Sequence, residues 1–320
     1  MNIEDLLRET LSDMAHEEQP PPPGRFLQVK QGRSRRRGLA LAAAAAVTVM
    51  AVGSTLVVQG LSAVSKDVSK DVAGQGSGET IVDTKQGQIT VTVREGLRLS
   101  QILEQLSTTT GRPLVEFQRA AKDGKALGLP AYAKGALEGF AFPGTYEVSP
   151  TSSPAEILAA MVTRFNRAAE ESNLVKGARR VGRTPLEILT IASIVQAESI
   201  DKRAMPKIAR VIENRLKHRP EMELRMDSTV LYGLSKFGAT ASNEDLKSRS
   251  PYNTYARLGL PPGPICNPGA DAIAAALKPA AGPWLYFVTI DPKTGVTKFA
   301  GSPSEYDTLV EEYRKNLRTW

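Results

Sequence analysis

The chain has 320 residues, 41% hydrophobic and 23% charged, with a formal net charge of +7. This describes an ordinary globular protein with room for about two domains, without the dense basic patch of a nucleic-acid binder, so no nucleic-acid partner is expected. A single cysteine, Cys266, excludes an intrachain disulfide and a multi-cysteine metal site. The two histidines, His16 in a polar tail and His218 in a polar turn, make a Ser-His-Asp triad, a Cys-His pair or a histidine-rich zinc site hard to build. Carboxylates are the acids and bases that remain, and no metal or cofactor is expected.

Residues 1–37 read as a cytoplasmic tail. A short amphipathic segment (Ile3, Leu6, Leu7, Leu11, Met14) precedes Pro20 to Pro23, as in a disordered tail or a partner-binding helix on a proline-rich tether. Residues 38–58 are uncharged, rich in Ala, Val and Leu, and long enough to span a bilayer as a helix. Lys30, Arg33, Arg35, Arg36 and Arg37 precede this run, which orients the tail inward and everything after Gly60 outward. A cleaved signal peptide fits the long polar leader less well, and a buried Ala-rich core helix fits poorly with five cations at one end. The expected location is the plasma membrane, single-pass, with an extracytoplasmic bulk. Residues 59–79 are a polar linker.

The expected fold class is α+β, a small module at 80–124 followed by a mixed helical domain with a β-hairpin at 125–320. Ile89-Thr-Val-Thr-Val93 alternates as a half-buried strand does. Ser100 is placed to cap a helix carrying Ile102, Leu103 and Leu106, and residues 114–121 read as another short helix. The run from Leu137 to Tyr146 is aromatic and turn-rich, as in a loop packed on a core. Ser153-Pro-Ala-Glu156 is a capping box opening a helix to about Glu171, and Thr184-Pro-Leu-Glu187 repeats that grammar.

The helix opened at Thr184 carries the most informative residue, Glu198. Ile188, Ile191, Val195 and Glu198 follow at steps of three, four and three, so the acid continues an apolar stripe near the C-terminal end. Desolvation and the negative end of the helix dipole both favour the protonated form, and a protonated carboxyl is a general acid. The alternative is a structural carboxylate paired with Arg203 or Arg210.

Residues 204–217 form an amphipathic helix. The segments Met226-Asp-Ser-Thr-Val230, Ser250-Pro-Tyr-Asn-Thr-Tyr255 and Gly259-Leu-Pro-Pro-Gly-Pro-Ile-Cys-Asn-Pro-Gly269 read as loops of amides, hydroxyls, tyrosines and prolines. They suit sugar recognition, or serve only as turns. Asn267-Pro268 is expected to cap a helix to Leu277. A hairpin follows at 284–300, and Ser304 starts a terminal helix.

These blocks together resemble the endolytic murein transglycosylases of the MltG/YceG-like family, over roughly residues 80–305. The resemblance rests on Leu137-Glu-Gly-Phe-Ala-Phe-Pro, Ala192-Ser-Ile-Val-Gln-Ala-Glu-Ser199, Asn214-Arg215, Asp227-Ser-Thr-Val230, Tyr252-Asn-Thr-Tyr255, Gly259-Leu-Pro-Pro-Gly-Pro-Ile265 and Asn267-Pro-Gly269, in that order. The long tail and the Met-Asp-Ser-Thr wording resemble the actinobacterial branch. The resemblance implies a single-pass membrane enzyme with a LysM-like module at 80–124 and a catalytic domain at 125–320. It assigns the catalytic glutamate to Glu198, since Gln196 stands where relatives often carry a second acid. Gly144, Phe299, Ser302, Glu305 and Tyr306 stand where relatives often have Asp, Phe, Thr, Glu and His.

The resemblance further implies lytic cleavage of the β-1,4 bond between N-acetylmuramic acid and N-acetylglucosamine in nascent peptidoglycan strands, leaving 1,6-anhydro ends and ending strand elongation. Asp227, Tyr252, Asn253, Tyr255 and Asn267 are the expected substrate-binding residues. Peptidoglycan strands are the expected partner, with peptidoglycan synthases and divisome or elongasome proteins beside them. The rival readings are a muramidase in which Asp227 activates water, and a non-catalytic LysM-type wall-binding scaffold.

Overall fold

The computed structural model describes residues 87–318. The tail, the apolar run at 38–58, the linker and the first residues of the small module lie outside this range. Among the described residues no helix is long and apolar enough to cross a membrane.

The described chain is a mixed α+β fold with two small antiparallel sheets. The first lobe runs β1 (Ile89–Val93), α1 (Leu99–Thr110), α2 (Leu114–Ala120) and β2 (Gly144–Val148). The two strands pair antiparallel, from Ile89 opposite Val148 to Val93 opposite Gly144. Their alternation turns Val91, Val93, Tyr146 and Val148 inward, onto Ile102, Leu106 and Phe117 of the helices. Residues 144–146, expected at the end of a loop, instead begin strand β2. The partner that makes them a strand is far away in the chain. Ser100 is not the cap of α1 either, for Arg98 holds that position and its N–H is bound by the Gln101 side chain.

The second lobe runs α3 (Pro154–Glu171), α4 (Leu174–Arg180), α5 (Pro185–Glu198), α6 (Met205–Lys217), α7 (Asp227–Gly233), α8 (Asn243–Leu246) and α9 (Ala270–Leu277). The hairpin β3 (Tyr286–Asp291) and β4 (Val296–Ala300) and helix α10 (Pro303–Arg318) complete it. Both expected capping boxes form, with Ser153 and Thr184 at the N-cap and proline behind each. Two boundaries differ from expectation. Asp227 begins a helix where a loop was expected, and α9 starts at Ala270 behind Gly269, so Asn267 is not its cap.

Helix α5 is the centre of this lobe and packs against α4, α6, α7 and α9. Every residue from Ile188 to Gln196 is buried, so the helix is covered around its whole circumference. Sequence phasing anticipated a single apolar stripe, but Leu189 and Ile194 are apolar off that stripe, and Thr190, Ala192 and Ser193 are small enough for neighbours to close over them. Ser193 shows how: its hydroxyl accepts from the Ile265 N–H at 3.0 Å and donates to the Thr190 carbonyl at 2.8 Å. The Gly259–Gly269 loop is thereby seated on the helix.

The Thr184 box is the device that starts this helix, since Thr184 Oγ1 accepts from the Glu187 N–H at 3.2 Å and the Glu187 carboxylate takes the Thr184 N–H at 2.8 Å. Thr184→Ala is expected to remove about 1 kcal/mol of stability. Urea denaturation checks this, and an unchanged midpoint would contradict it.

Candidate active site

Glu198 is the last residue of α5, at the point where the helix leaves the core, and it is part-exposed. Its Oε1 accepts a hydrogen bond from Ser228 Oγ at 2.5 Å. Ser228 sits in the first turn of α7, and α7 packs on α5, which is what delivers the hydroxyl. The two guanidinium groups considered as ion-pair partners are committed elsewhere. Arg203 is clamped on Asp201 at 2.7 Å, and Arg210 donates to the carbonyls of Ala280 and Pro279.

Asp227, the neighbour of Ser228, is held quite differently. Its Oδ1 accepts from the Tyr255 hydroxyl at 2.5 Å, and its Oδ2 from the Ala241 N–H at 3.0 Å. Part of the residue reaches the surface, but both carboxyl oxygens are engaged. Burial raises its pKa, and these two hydrogen bonds oppose the rise. Burial, the Asp227 carboxylate and the Glu198 carboxylate together hold the Tyr255 hydroxyl well above its ordinary pKa, so it remains a donor. Tyr306 faces the same group of charges, with its ring 5.1 Å from that of Tyr286 and burial raising its pKa. Behind them Arg215 donates to the carbonyls of Leu285 and Leu224, each at 2.7 Å. Asn214 donates to those of Gly282 and Trp284, so the Asn214-Arg215 pair fixes the approach to the hairpin.

The other expected site residues divide. Tyr252 is part-exposed, with its ring 4.8 Å from that of Tyr232. Asn253 and Asn267, also expected at the site, are fully buried and bonded to protein groups. Asn253 donates to the carbonyls of Leu246 and Ser248 and accepts from the Tyr255 N–H. Asn267 accepts from the Ala141 N–H and donates to Leu97 O and Glu138 Oε1. Its backbone pairs with Leu97 and Gly96. Asn267 therefore stitches the first lobe to the second. Gln196 is a scaffold residue as well, for it is buried and accepts from the Gly269 N–H at 3.0 Å.

Two polar residues given no role by the sequence reading stand out. Ser228 lay inside a quoted motif, but nothing local marks a serine as the partner of a glutamate thirty positions earlier. Glu138 lay in a run read as a packing loop. The turn after it needs Gly139, which has φ +90° and whose Cβ would come within 2.6 Å of Pro264. The turn aims the Glu138 carboxylate at the Leu99 N–H (3.0 and 3.1 Å) and at Tyr232 Oη (3.3 Å). Burial pushes its pKa from 4.5 up to about 7, against the pull of those donors and of Arg98.

Among the described residues no cluster of three or more His, Cys, Asp or Glu could hold a metal ion. A shallow cavity of ≈ 420 Å³ lies beside Glu116, Arg119, Ser153 and Pro154 and does not include Glu198.

Removing the Asn267 amide leaves the Ala141 N–H and the Glu138 carboxyl short of a partner. Asn267→Ala should cost about 1–3 kcal/mol, seen as a lower thermal midpoint, and an unchanged midpoint would contradict the stitching role. Glu138 gives a pH signature. The folded state holds the Glu138 proton more tightly than the unfolded chain, so its contribution is greatest below pH 4.5 and is lost as pH rises to about 7. Relative to Glu138→Gln, the unchanged protein should lose on the order of 1–3 kcal/mol across that window. Parallel stability curves would contradict it.

A family model described as the YceG-like family matches residues 54–312. An endolytic murein transglycosylase of Bacillus subtilis (strain 168) is 37% identical over 180 residues, 55% of this chain and 48% of that protein. One from Streptococcus pneumoniae (serotype 2, strain D39) is 32% identical over 196 residues, 58% of this chain and 34% of that protein. The chain thus spans about half, or less, of the length of these relatives. The crystal structure of a YceG-like protein from Listeria monocytogenes superposes with a TM-score of 0.62 at 28% identity, covering 70% of this chain and 76% of that one. With the family pattern matched over most of its length and a solved member sharing its fold, the chain belongs to the YceG-like family.

Proposed function

We propose that the protein is an endolytic lytic transglycosylase of peptidoglycan, with Glu198 serving in turn as acid and base. The observation that carries this reading is the contrast between its two neighbouring carboxyls. Glu198 is part-exposed at the end of α5 and accepts from the Ser228 hydroxyl, whereas Asp227 is drawn inward, with both oxygens engaged by Tyr255 and Ala241. A hydrolase of the ordinary kind needs a second carboxylate to hold water or to attack the sugar. A lytic enzyme needs only one. The names of the Bacillus and Streptococcus relatives support the same reaction and substrate.

In this reading Glu198 begins protonated and donates to the oxygen of the β-1,4 bond between N-acetylmuramic acid and N-acetylglucosamine. The bond from the muramyl C1 to that oxygen breaks. The resulting carboxylate then accepts the proton of the muramyl C6 hydroxyl as that oxygen bonds to C1. The proton gained by the leaving sugar is replaced on Glu198, no water enters, and the product ends in a 1,6-anhydro ring. Ser228 holds the carboxyl in one orientation through both steps, which conserves the geometry needed for two successive proton transfers. Tyr252 stays a candidate for stacking on a sugar, and Tyr255 acts through Asp227 to fix the first turn of α7.

The membrane anchor at 38–58, the inward tail and the extracytoplasmic catalytic domain belong to the same proposal, resting on the cations before the apolar run. The LysM-like reading of the small module is supported by β1, α1 and α2, with β2 supplying its second strand. It would hold the glycan while Glu198 cuts, near peptidoglycan synthases and divisome or elongasome proteins. Reporter fusions at residues 30 and 87 should report opposite sides of the membrane, and reporters on the same side would refute the anchor.

Glu198→Gln should reduce cleavage of uncrosslinked glycan by about 10²–10⁴-fold without loss of folding, the range expected for a general acid. Retained cleavage would exclude Glu198 as the acid. Ser228→Ala should lower kcat about tenfold with little change in KM, since the hydroxyl orients the acid and does not bind substrate. An equal rise in KM with unchanged kcat would contradict that role.

A further inference from the structure

Arg98 lies between β1 and α1, in the first lobe, and reaches across to the second. Its guanidinium carbon is 5.3 Å from the centre of the Tyr232 ring and 4.5 Å from that of Phe237. The backbone N–H of Arg98 is bound by Gln101, but among the described residues the guanidinium itself meets no acceptor and no ion-pair partner within bonding distance. Glu138 is the nearby carboxyl, and its oxygens are directed at the Leu99 N–H, Asn267 Nδ2 and Tyr232 Oη. With its pKa pushed up to about 7, Glu138 neutralises Arg98 only in part near neutral pH. A half-buried guanidinium with five donors, stacked on aromatic rings and lacking an acceptor, is built to receive an anion.

Its surroundings suit an extended ligand. Phe237 is a large apolar side chain that stays 53% exposed, forming a rim above the guanidinium. Tyr232 packs on Tyr252, continuing the aromatic surface. Tyr232 is also four positions after Ser228 on α7, so the two lie on one face of that helix, about 6 Å apart along its axis. The Arg98 cradle and the Ser228–Glu198 pair are therefore strung along the same surface.

We propose that Arg98, rimmed by Phe237 and backed by Tyr232, binds a carboxylate of the substrate strand on the same surface as the bond that Glu198 cuts. The proposal rests on the peptidoglycan reading of Glu198. A β-1,4 amino-sugar backbone carries no charge, so the carboxylate belongs to the muramyl substituent, either a free lactyl group or a peptide stem. Arg98 would read the muramyl units and set the register of cleavage, distinguishing this polymer from one built of N-acetylglucosamine alone.

The test measures binding of three soluble glycans to the full-length Glu198→Gln protein, which removes turnover. The glycans are a peptide-bearing strand, an amidase-stripped strand with free lactyl carboxylates, and a neutral N-acetylglucosamine oligomer. Adding Arg98→Ala should weaken at least one anionic strand about tenfold and leave the neutral oligomer within twofold. The strand that loses affinity identifies the source of the carboxylate. Phe237→Ala, at an exposed position where folding is not at risk, should weaken the same strand. Equal weakening of all three glycans, as from a bracket between the lobes, would overturn the proposal, as would undiminished binding of both anionic strands. Cleavage by the protein with Glu198 intact is assayed separately. Its failure would remove the lytic chemistry, while the binding pattern would still decide the role of Arg98.

Discussion

Helix α5 is covered on every side, and most of the second lobe is arranged to cover it. A helix in that position has no polar face, so an acid is tolerated only where the helix emerges. Glu198 stands at that point. The same burial fixes its backbone firmly, because Ser199 continues the helical bonding to the Val195 carbonyl and its hydroxyl binds the Asp201 carbonyl. A carboxyl with a rigid base and the Ser228 hydroxyl held on its Oε1 has little freedom left. That suits a group that must give a proton to one oxygen and take one from another.

The polar residues near this point serve two ends. Asn253, Asn267, Gln196 and Asp227 turn inward and bind backbone or the Glu138 and Tyr255 side chains, so they shape the loops that frame the surface. Ser228, Tyr252, Arg98 and Phe237 are the ones left facing outward or toward Glu198. Asn267 and Glu138 act at the seam between lobes, each tied to the Leu97–Leu99 segment. Movement of the first lobe would carry Arg98 with it and disturb this seam. In the proposed role of Arg98, the position of the small lobe would set the register of a bound strand through these hydrogen bonds.

Much of the fold was legible wherever the signal is local. The two capping boxes, the alternation of Ile89 to Val93 and the hairpin turn before Gly295 need only neighbours a few residues away, and all of them form. What was hidden depends on distant partners. Gly144 to Val148 becomes a strand only because β1 lies beside it. The seven-residue helix at Asp227, about two turns, is too short to persist alone and is held by Thr254, whose Oγ1 accepts the Met226 N–H and touches Thr229 Oγ1. The surroundings of the amides were hidden for a related reason. An asparagine in a Pro/Gly-rich loop has the same signature whether it faces a ligand or its own backbone, and here both faced inward. Glu198 was legible because it breaks an apolar run, whereas Ser228 breaks no pattern and is marked only by its contact with Glu198 across thirty positions.

The central claim is that one carboxyl does the work of two and that water takes no part in the cleavage. Digestion of nascent, uncrosslinked glycan in ¹⁸O-labelled water, followed by mass spectrometry of the new ends, measures this directly. The lytic account predicts anhydro ends without ¹⁸O. Reducing muramic acid ends, each carrying one ¹⁸O atom, would contradict it and make the protein a hydrolase.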